Sequence, residues 1–340
     1  MTLGLLLKRI EEQREVLETT AGEAEELRTA PARLVDAMRA IGVPMAKVPK
    51  AVGGYQLTGP EQLRFYEALA YANPTAGWVG FVHGGAGGMS GAMLPEQGLK
   101  RVFNGSVPFV AAVATPSGKA ERVDGGWQVR GRWKWASGSQ HAQWIILTAM
   151  SIAERPEPHM FVTPTDSVTF EDDWHVAALR GTGSIDVIAD TFVPEEMSWS
   201  FREQPKRGGA MYNMTSIRSY VAPENAGFSL GVAQRAIDEM AMYSTTKFRG
   251  PGKGLLSDRE VFRFQLAKSA LRVDAARDLM AQVLAEAWPI LMSGDWNDAI
   301  DAKVTAAFAH ATEETASAVT DVYHFVGASV IHLSNVQQRC

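Results

Sequence analysis

The hydrophobic period of this chain switches twice, from 3.6 residues to 2 near residue 106 and back to 3.6 near residue 206. A helical pattern does not settle as a strand, so the chain must build helices, then a β-unit, then helices again. In the first stretch Leu27, Ala30, Leu34, Met38 and Ile41 recur at helical spacing, with Pro31 inside the start and Gly42 just past the end. Thr58-Gly59-Pro60 opens another helix, with Leu63, Tyr66 and Ala70 on one face, and Asn73-Pro74 stops it. Ala76 to Met93 is apolar and Gly-rich, with Trp78, Phe81 and Val82 among small residues. Its glycines lower its helix propensity, so tight burial must hold it. Pro95 opens a short amphipathic piece ending near Phe103.

Seven runs in the middle alternate as strands do: Val110 to Ala114, Arg122 to Asp124, Trp127 to Trp133, Trp144 to Ala149, His159 to Val162, Val168 to Phe170 and Ser184 to Ile188. Turn signals separate them at short intervals, as in a small barrel or sandwich. Beyond residue 206 one helix is expected from Glu224 to Tyr243. A second runs from a capping box, Ser257 with Glu260, to Trp288-Pro289, and a third from Asn297 to Phe325, closing at Gly327. Helices near 30 residues span about 45 Å and suit an antiparallel bundle.

The segment Gly125 to Gly138 reads as a hairpin strand that ends in Trp133, Trp135, Ala136, Ser137 and Gly138. Flat aromatic surface beside a hydroxyl suits a planar cofactor. Bulk properties narrow the partners. The net charge of -5 and the absence of a Lys/Arg run argue against nucleic acid, and no stretch of about 18 apolar residues spans a membrane. Cys340 is the sole cysteine, so no disulfide framework or Cys-based zinc site exists; a cytoplasmic protein is expected. The seven histidines form no metal constellation. His310 and His324 share a helix with Glu313, Glu314 and Asp321, but a di-iron bundle needs Glu-x-x-His on two helices, and neither occurs. Gly84-Gly85-Ala86-Gly87-Gly88 lacks the spacing and the preceding strand of a dinucleotide loop.

The order of units, the hairpin segment and four short motifs resemble the acyl-CoA dehydrogenase superfamily, and within it the flavin-dependent monooxygenase branch. The motifs are Leu94 to Lys100, Trp174 to Ser184, Phe192-Val193-Pro194 and Asn335 to Cys340. The resemblance implies an α+β fold: an N-terminal helical domain over 1–105, a central small β-barrel or sandwich over 106–205, and a C-terminal four-helix-type bundle over 206–340. It also implies a homotetramer, with reduced FMN or FAD reacting with O2 to oxygenate a small organic substrate through a C4a-hydroperoxyflavin. Because the chain carries no nucleotide-binding fingerprint for NAD(P)H, a separate flavin reductase must supply the reduced flavin.

Residue by residue, the resemblance places Trp133, Trp135, Ala136, Ser137 and Gly138 beside the flavin ring, with Ser137 as a hydroxyl donor at its reactive edge. Thr182, Gly183 and Ser184 fall near the cofactor. Lys247, before Phe248, stands where dehydrogenases carry an arginine that reaches a neighbouring subunit's cofactor phosphates; Arg263, Gln265 and Arg339 are further cofactor contacts. His83 is placed among substrate-contacting residues as a possible base, with Tyr71, Trp78 and Asn104 as further pocket candidates, whereas His141 reads as a turn residue. For each of these the plain alternative is a core aromatic, a tight turn or a solvated charge.

Departures matter as much. Ala114 to Ala120 lacks the Glu and Ser-Asp that dehydrogenases carry there, and no Tyr-Glu-Gly supplies the glutamate base of the common dehydrogenase subgroup. The strand from Phe109 to Ala114 lacks the histidine of the branch's phenol hydroxylases, which leaves nitrogen, sulfur or another activated carbon open as the oxidised atom. The branch's C-terminal histidine would fall beyond Cys340, so the bundle is expected to be shortened or to lack that group. Two alternatives stay open: an FAD-dependent acyl-CoA dehydrogenase or flavin oxidase, and a non-catalytic member of the same fold.

Overall fold

The structure, a computed structural model, describes residues 2–214, 217–248, 254–332, 335 and 337. Six helices come first: α1 (Thr2–Glu12), α2 (Arg14–Leu27), α3 (Ala32–Ile41), α4 (Gly59–Ala72), α5 (Pro74–Met93) and α6 (Glu96–Val102). Local sequence sets their ends. Gly42 closes α3 in the left-handed region at φ 96°. Thr58 caps α4 with Glu61, and the Asn73 side chain accepts the Ala76 N–H to start α5. The Gly-rich α5 is almost wholly buried. Its glycines serve contact, since a Cβ on Gly84 would stand 2.2 Å from the buried Tyr66 hydroxyl of α4.

The strands β1 (Val110–Val123), β2 (Gly126–Ala136), β3 (Trp144–Ser151), β4 (Pro158–Pro164), β5 (Thr169–Glu171), β6 (Ile185–Pro194) and β7 (Ser198–Ser200) form one sheet, ordered β5-β6-β2-β1-β3-β4-β7. β1 and β3 run parallel and the other neighbours antiparallel. The two strands expected over 110–114 and 122–124 are one long strand: β1 keeps pairing with β3 across a register shift between Val113 and Gly118, then turns into β2.

Three long helices follow, α7 (Ile217–Ser244), α8 (Glu260–Ser293) and α9 (Asp298–Tyr323). Two expected boundaries move. α7 begins at Ile217 and not at Glu224, taking Pro223 into its interior at the loss of one backbone donor. α8 begins at Glu260 without the expected Ser257 cap; Asp258 accepts the Leu255 N–H instead, and the helix continues past Pro289 to Ser293. α4 runs beside α7 so closely that a Cβ on Gly231 would stand 2.2 Å from the Glu67 carbonyl. One apolar core joins the N-terminal helices to the sheet, and a second lies among α7, α8 and α9 with Leu63 of α4. Among the described residues no helix is long and apolar enough to cross a membrane.

Gly84→Ala tests the α4–α5 contact. On an isolated helix alanine gains about 1 kcal/mol over glycine, but overpacking Tyr66 is expected to reverse the sign and cost about 1–3 kcal/mol. The urea midpoint should fall; a rise would show that the helices have room.

Candidate active site

Strict alternation would point Trp133 and Trp135 the same way, and the structure separates them. Trp133 pairs with Val187 and Ala136 with Ile185, so Lys134 and Trp135 together oppose Asp186 in a bulge. Trp135 sits in the left-handed region at φ 64°, which is strained for a bulky side chain. Its backbone N–H donates to Asp186 Oδ1 at 3.3 Å. The Asp186 carboxylate is held in turn by Arg132 Nε at 2.8 Å. The consequence is that Trp133 is fully buried, its Nε1 donating to the Thr148 carbonyl at 2.6 Å, whereas Trp135 is 70% exposed. The expectation of a cofactor wall built from both indoles is corrected: only Trp135 presents a free face.

Behind the bulge lies a directional chain of hydroxyls. Trp78 Nε1 donates to Ser137 Oγ at 3.0 Å. Ser137 and Ser184 are 2.6 Å apart, as are Ser184 and Thr182, and Thr182 Oγ1 donates to the Leu179 carbonyl at 2.8 Å. Trp78 can only donate and the carbonyl can only accept. The protons therefore run from Trp78 through Ser137, Ser184 and Thr182. The Gly138 N–H donates to the Thr182 carbonyl at 2.9 Å, tying the Ser137 and Ser184 loops together. Trp78, expected as a substrate wall, thus turns its polar edge to Ser137 and packs its ring against Phe81 and Phe228.

Gly138, at φ 70°, makes room for His83, whose Nε2 would stand 2.6 Å from a Cβ there. His83 does not meet an open pocket. Its Nδ1 donates to the Val110 carbonyl at 3.0 Å and its Nε2 accepts from His141 Nε2 at 2.9 Å. Burial pushes His83 down to about 4, with the Val110 bond opposing, and burial and His83 lower His141. Both imidazoles are therefore neutral near pH 7.

Between α5, the sheet and α7 lies a cavity of about 200 Å³, lined by Phe81 and Met89 of α5, Ala112 of β1, Met160 of β4 and Tyr220 and Glu224 of α7. Glu224 is its one acidic wall. Lys47 Nζ, fully buried, donates to Glu224 Oε2 and to the Tyr220 carbonyl, each at 2.7 Å, and lies 3.3 Å from the Tyr220 ring centre. Burial pushes the Glu224 carboxyl up to about 7 against the opposing pull of Lys47. Sequence reasoning missed both residues: Glu224 was read as a helix-opening acid, and Lys47 carried no signal.

The other candidates are not drawn into this group. Tyr71 donates to Asp238 Oδ2 at 2.9 Å between α4 and α7, and Asn104 is exposed in the loop after α6, accepting from Ser106. Lys247 lies 5.4 Å from the Tyr243 ring centre, Phe248 is exposed, and Arg263 is exposed on α8, all at the α7–α8 end of the bundle. Gln265 donates to Asp321 on α9. Gly183 lies within the loop that carries Thr182 and Ser184. Arg339 lies outside the described residues.

The order of helices, sheet and helices is that of an acyl-CoA dehydrogenase-like fold. The family described as acyl-CoA dehydrogenase, C-terminal domain matches residues 225–340. An indole-3-acetate monooxygenase of Pseudomonas putida is 29% identical over 284 residues, covering 81% of this chain and 71% of its own. The oxygenase component of an FADH(2)-dependent resorcinol hydroxylase from a Rhizobium strain is 29% identical over 307 residues, covering 83% and 73%. Among solved structures, XiaF of Streptomyces in complex with FADH2 and glycerol superposes with a TM-score of 0.89 at 24% identity, covering 99% of this chain and 88% of that one. The chain has the acyl-CoA dehydrogenase-like fold, and the relatives it is similar to are named as flavin-dependent monooxygenases or their oxygenase components.

The buried imidazoles give a signed pH dependence. Below about 6.5 the unfolded chain binds protons that folded His83 and His141 refuse, so acidification toward 4 removes stability, roughly 3 kcal/mol for His83 alone. Glu224 acts oppositely, holding its proton up to about 7 when folded, so acidification through the same window restores part of the loss. Two imidazoles outweigh one carboxyl. The urea midpoint should therefore decline between pH 6.5 and 4.5, and more shallowly in His83→Gln; an equally steep decline in the variant would rule out His83 as a source.

Proposed function

We propose that this chain is the oxygenase component of a two-component flavin-dependent monooxygenase. It takes reduced FMN or FAD from a separate NAD(P)H-consuming reductase and uses O2 to oxygenate a small organic substrate. The observation that carries this reading is Trp135, an exposed indole held in a strained backbone conformation beside buried hydroxyls. The relatives named as an indole-3-acetate monooxygenase and an FADH(2)-dependent resorcinol hydroxylase support it.

The residues fit a planar cofactor. Trp135 offers a free aromatic face and Ser137 a hydroxyl two residues further on but turned inward. Bound reduced flavin supplies the activation of O2; the remaining tasks fall to the chain. Ser137 can lend its proton to a ligand only by turning it from Ser184, and Trp78 keeps the Ser137 oxygen occupied as an acceptor while it does so. The apolar cavity excludes water from the reacting centre. The neutral His83–His141 pair braces Gly138 from behind.

Assembly completes the reading. Val261, Phe264 and Leu271 lie exposed on α8 at spacings of three and seven, an apolar stripe suited to a second copy in a homotetramer. Lys247, Phe248 and Arg263 sit at the same end of the bundle, from which they would reach a neighbour's cofactor. A flavin dehydrogenase or oxidase is the second reading, favoured by Glu224, a carboxyl of raised pKa on the cavity wall and so a general base in kind. Retained FAD that responds spectrally to an acyl-CoA would establish it.

The test mixes the protein with reduced FMN or FAD under anaerobic conditions and then exposes it to O2 without substrate. A delay before oxidised flavin returns is expected, and failure to bind either flavin would sink the reading. Trp135→Gly should weaken reduced-flavin binding at least about tenfold while relief of the left-handed strain raises stability by about 1 kcal/mol. Ser137→Ala should shorten the delay with the fold unchanged by circular dichroism.

A further inference from the structure

Glu224 Oε2 is taken by Lys47, but no described residue donates to Glu224 Oε1, which is not sealed away from the cavity. A Cβ on Gly85 would stand 3.4 Å from that oxygen, so the glycine leaves the approach to it open. Asn225, the next residue on the wall, donates one of its two amide N–H groups to the Val221 carbonyl at 2.9 Å. The Tyr220 hydroxyl donates away, to the Gly85 carbonyl at 2.8 Å, so the tyrosine contributes only its ring. Among the described residues of this wall, Glu224 Oε1 is the one carboxylate oxygen without a donor.

The Lys47 ammonium is directed at Glu224, the Tyr220 carbonyl and the Tyr220 ring. A ligand meets a pair that is neutral in sum and presents a single unspent oxygen. A buried acceptor without a donor costs about 1–3 kcal/mol, so a ligand that supplies the donor is favoured over an analogue that lacks it. A carboxylate at this end would be repelled. The cavity volume lies below the usual range for drug-sized ligands, which limits the occupant to about one or two fused rings.

We propose that Glu224 is the specificity-determining residue of this cavity, its free oxygen accepting a hydrogen bond from an O–H or N–H on a small, uncharged, flat apolar substrate such as a phenol or a heteroaromatic N–H compound. The proposal rests on the reading of this cavity as the substrate site. It supplies from α7 what the missing histidine of β1 does not: a group to hold a phenolic hydroxyl.

The test uses the full chain without flavin at pH 8, where Glu224 is ionised, and measures binding of indole against 1-methylindole and of phenol against anisole by calorimetry. The wild type is expected to prefer the donor-bearing member of each pair at least about tenfold. In Glu224→Gln the amide oxygen faces Lys47 and the amide N–H faces the cavity, so that preference should vanish while the methylated probes bind as before. The double variant Lys47→Met/Glu224→Leu removes the buried charges together and decides the matter if the single variant does not fold; it should bind both members of each pair alike. Equal binding of the pair by wild type, no binding of any probe, or a preference that survives in a folded variant would overturn the proposal. The oxygen reaction of reduced flavin, followed in wild type without probe, is independent of these results. A protein that shows the Glu224-dependent preference but no delay would sink the oxygenase reading and leave the recognition intact.

Discussion

The buried pair of Lys47 and Glu224 ties the N-terminal helical region to the first long helix after the sheet. The residues are 177 positions apart, one in the turn region between α3 and α4 and the other on α7, and both are nearly inaccessible to solvent. Taking two charges out of water is costly, and their attraction offsets that cost only with good geometry and further hydrogen bonds. The Tyr220 carbonyl and ring supply those on the lysine side. On the glutamate side one oxygen is left over. The pair thus fixes where α7 lies against the N-terminal helices and, by the same contact, sets the polarity of the cavity.

The two imidazoles of the site are electrically quiet, and burial is the reason. His83 and His141 share a contact in an apolar surround with Phe109 edge-on to both, so neither can take a charge near neutrality. The hydroxyl run from Trp78 to Thr182 is likewise neutral. Within the cavity itself the acidic function is Glu224, at a position set by α7.

Much of the architecture was legible because it is local. The period switches, the Thr58–Glu61 capping box, the Asn73-Pro74 junction and the glycine-dense α5 each act within a few residues. The errors share a cause as well. Pro223 reads as a helix boundary when only neighbours are considered, but packing against α4 carries α7 through it, and Glu224 moves from helix end to helix interior. Alternation puts Trp133 and Trp135 on one face, and nothing in a tryptophan announces a positive φ. That bulge is enforced by Asp186, a neighbour across the sheet and not in sequence, whose carboxylate Arg132 holds. His83 was singled out for chemistry, but its partner lies 58 residues away and consumes the nitrogen in question.

The Leu179 carbonyl ends the hydroxyl run, and Leu179 itself lies in the left-handed region at φ 55°. That carbonyl also accepts the Thr182 N–H at 3.1 Å and Trp174 Nε1 at 3.2 Å. Three donors converge on one oxygen in a surface loop, and the polarity of every hydroxyl behind it follows from that convergence. The loop over Trp174 to Thr182 therefore sets, from a distance, the direction in which the Ser137 hydroxyl points its proton. Trp174, which touches none of the hydroxyls, shares in that control through the carbonyl it holds.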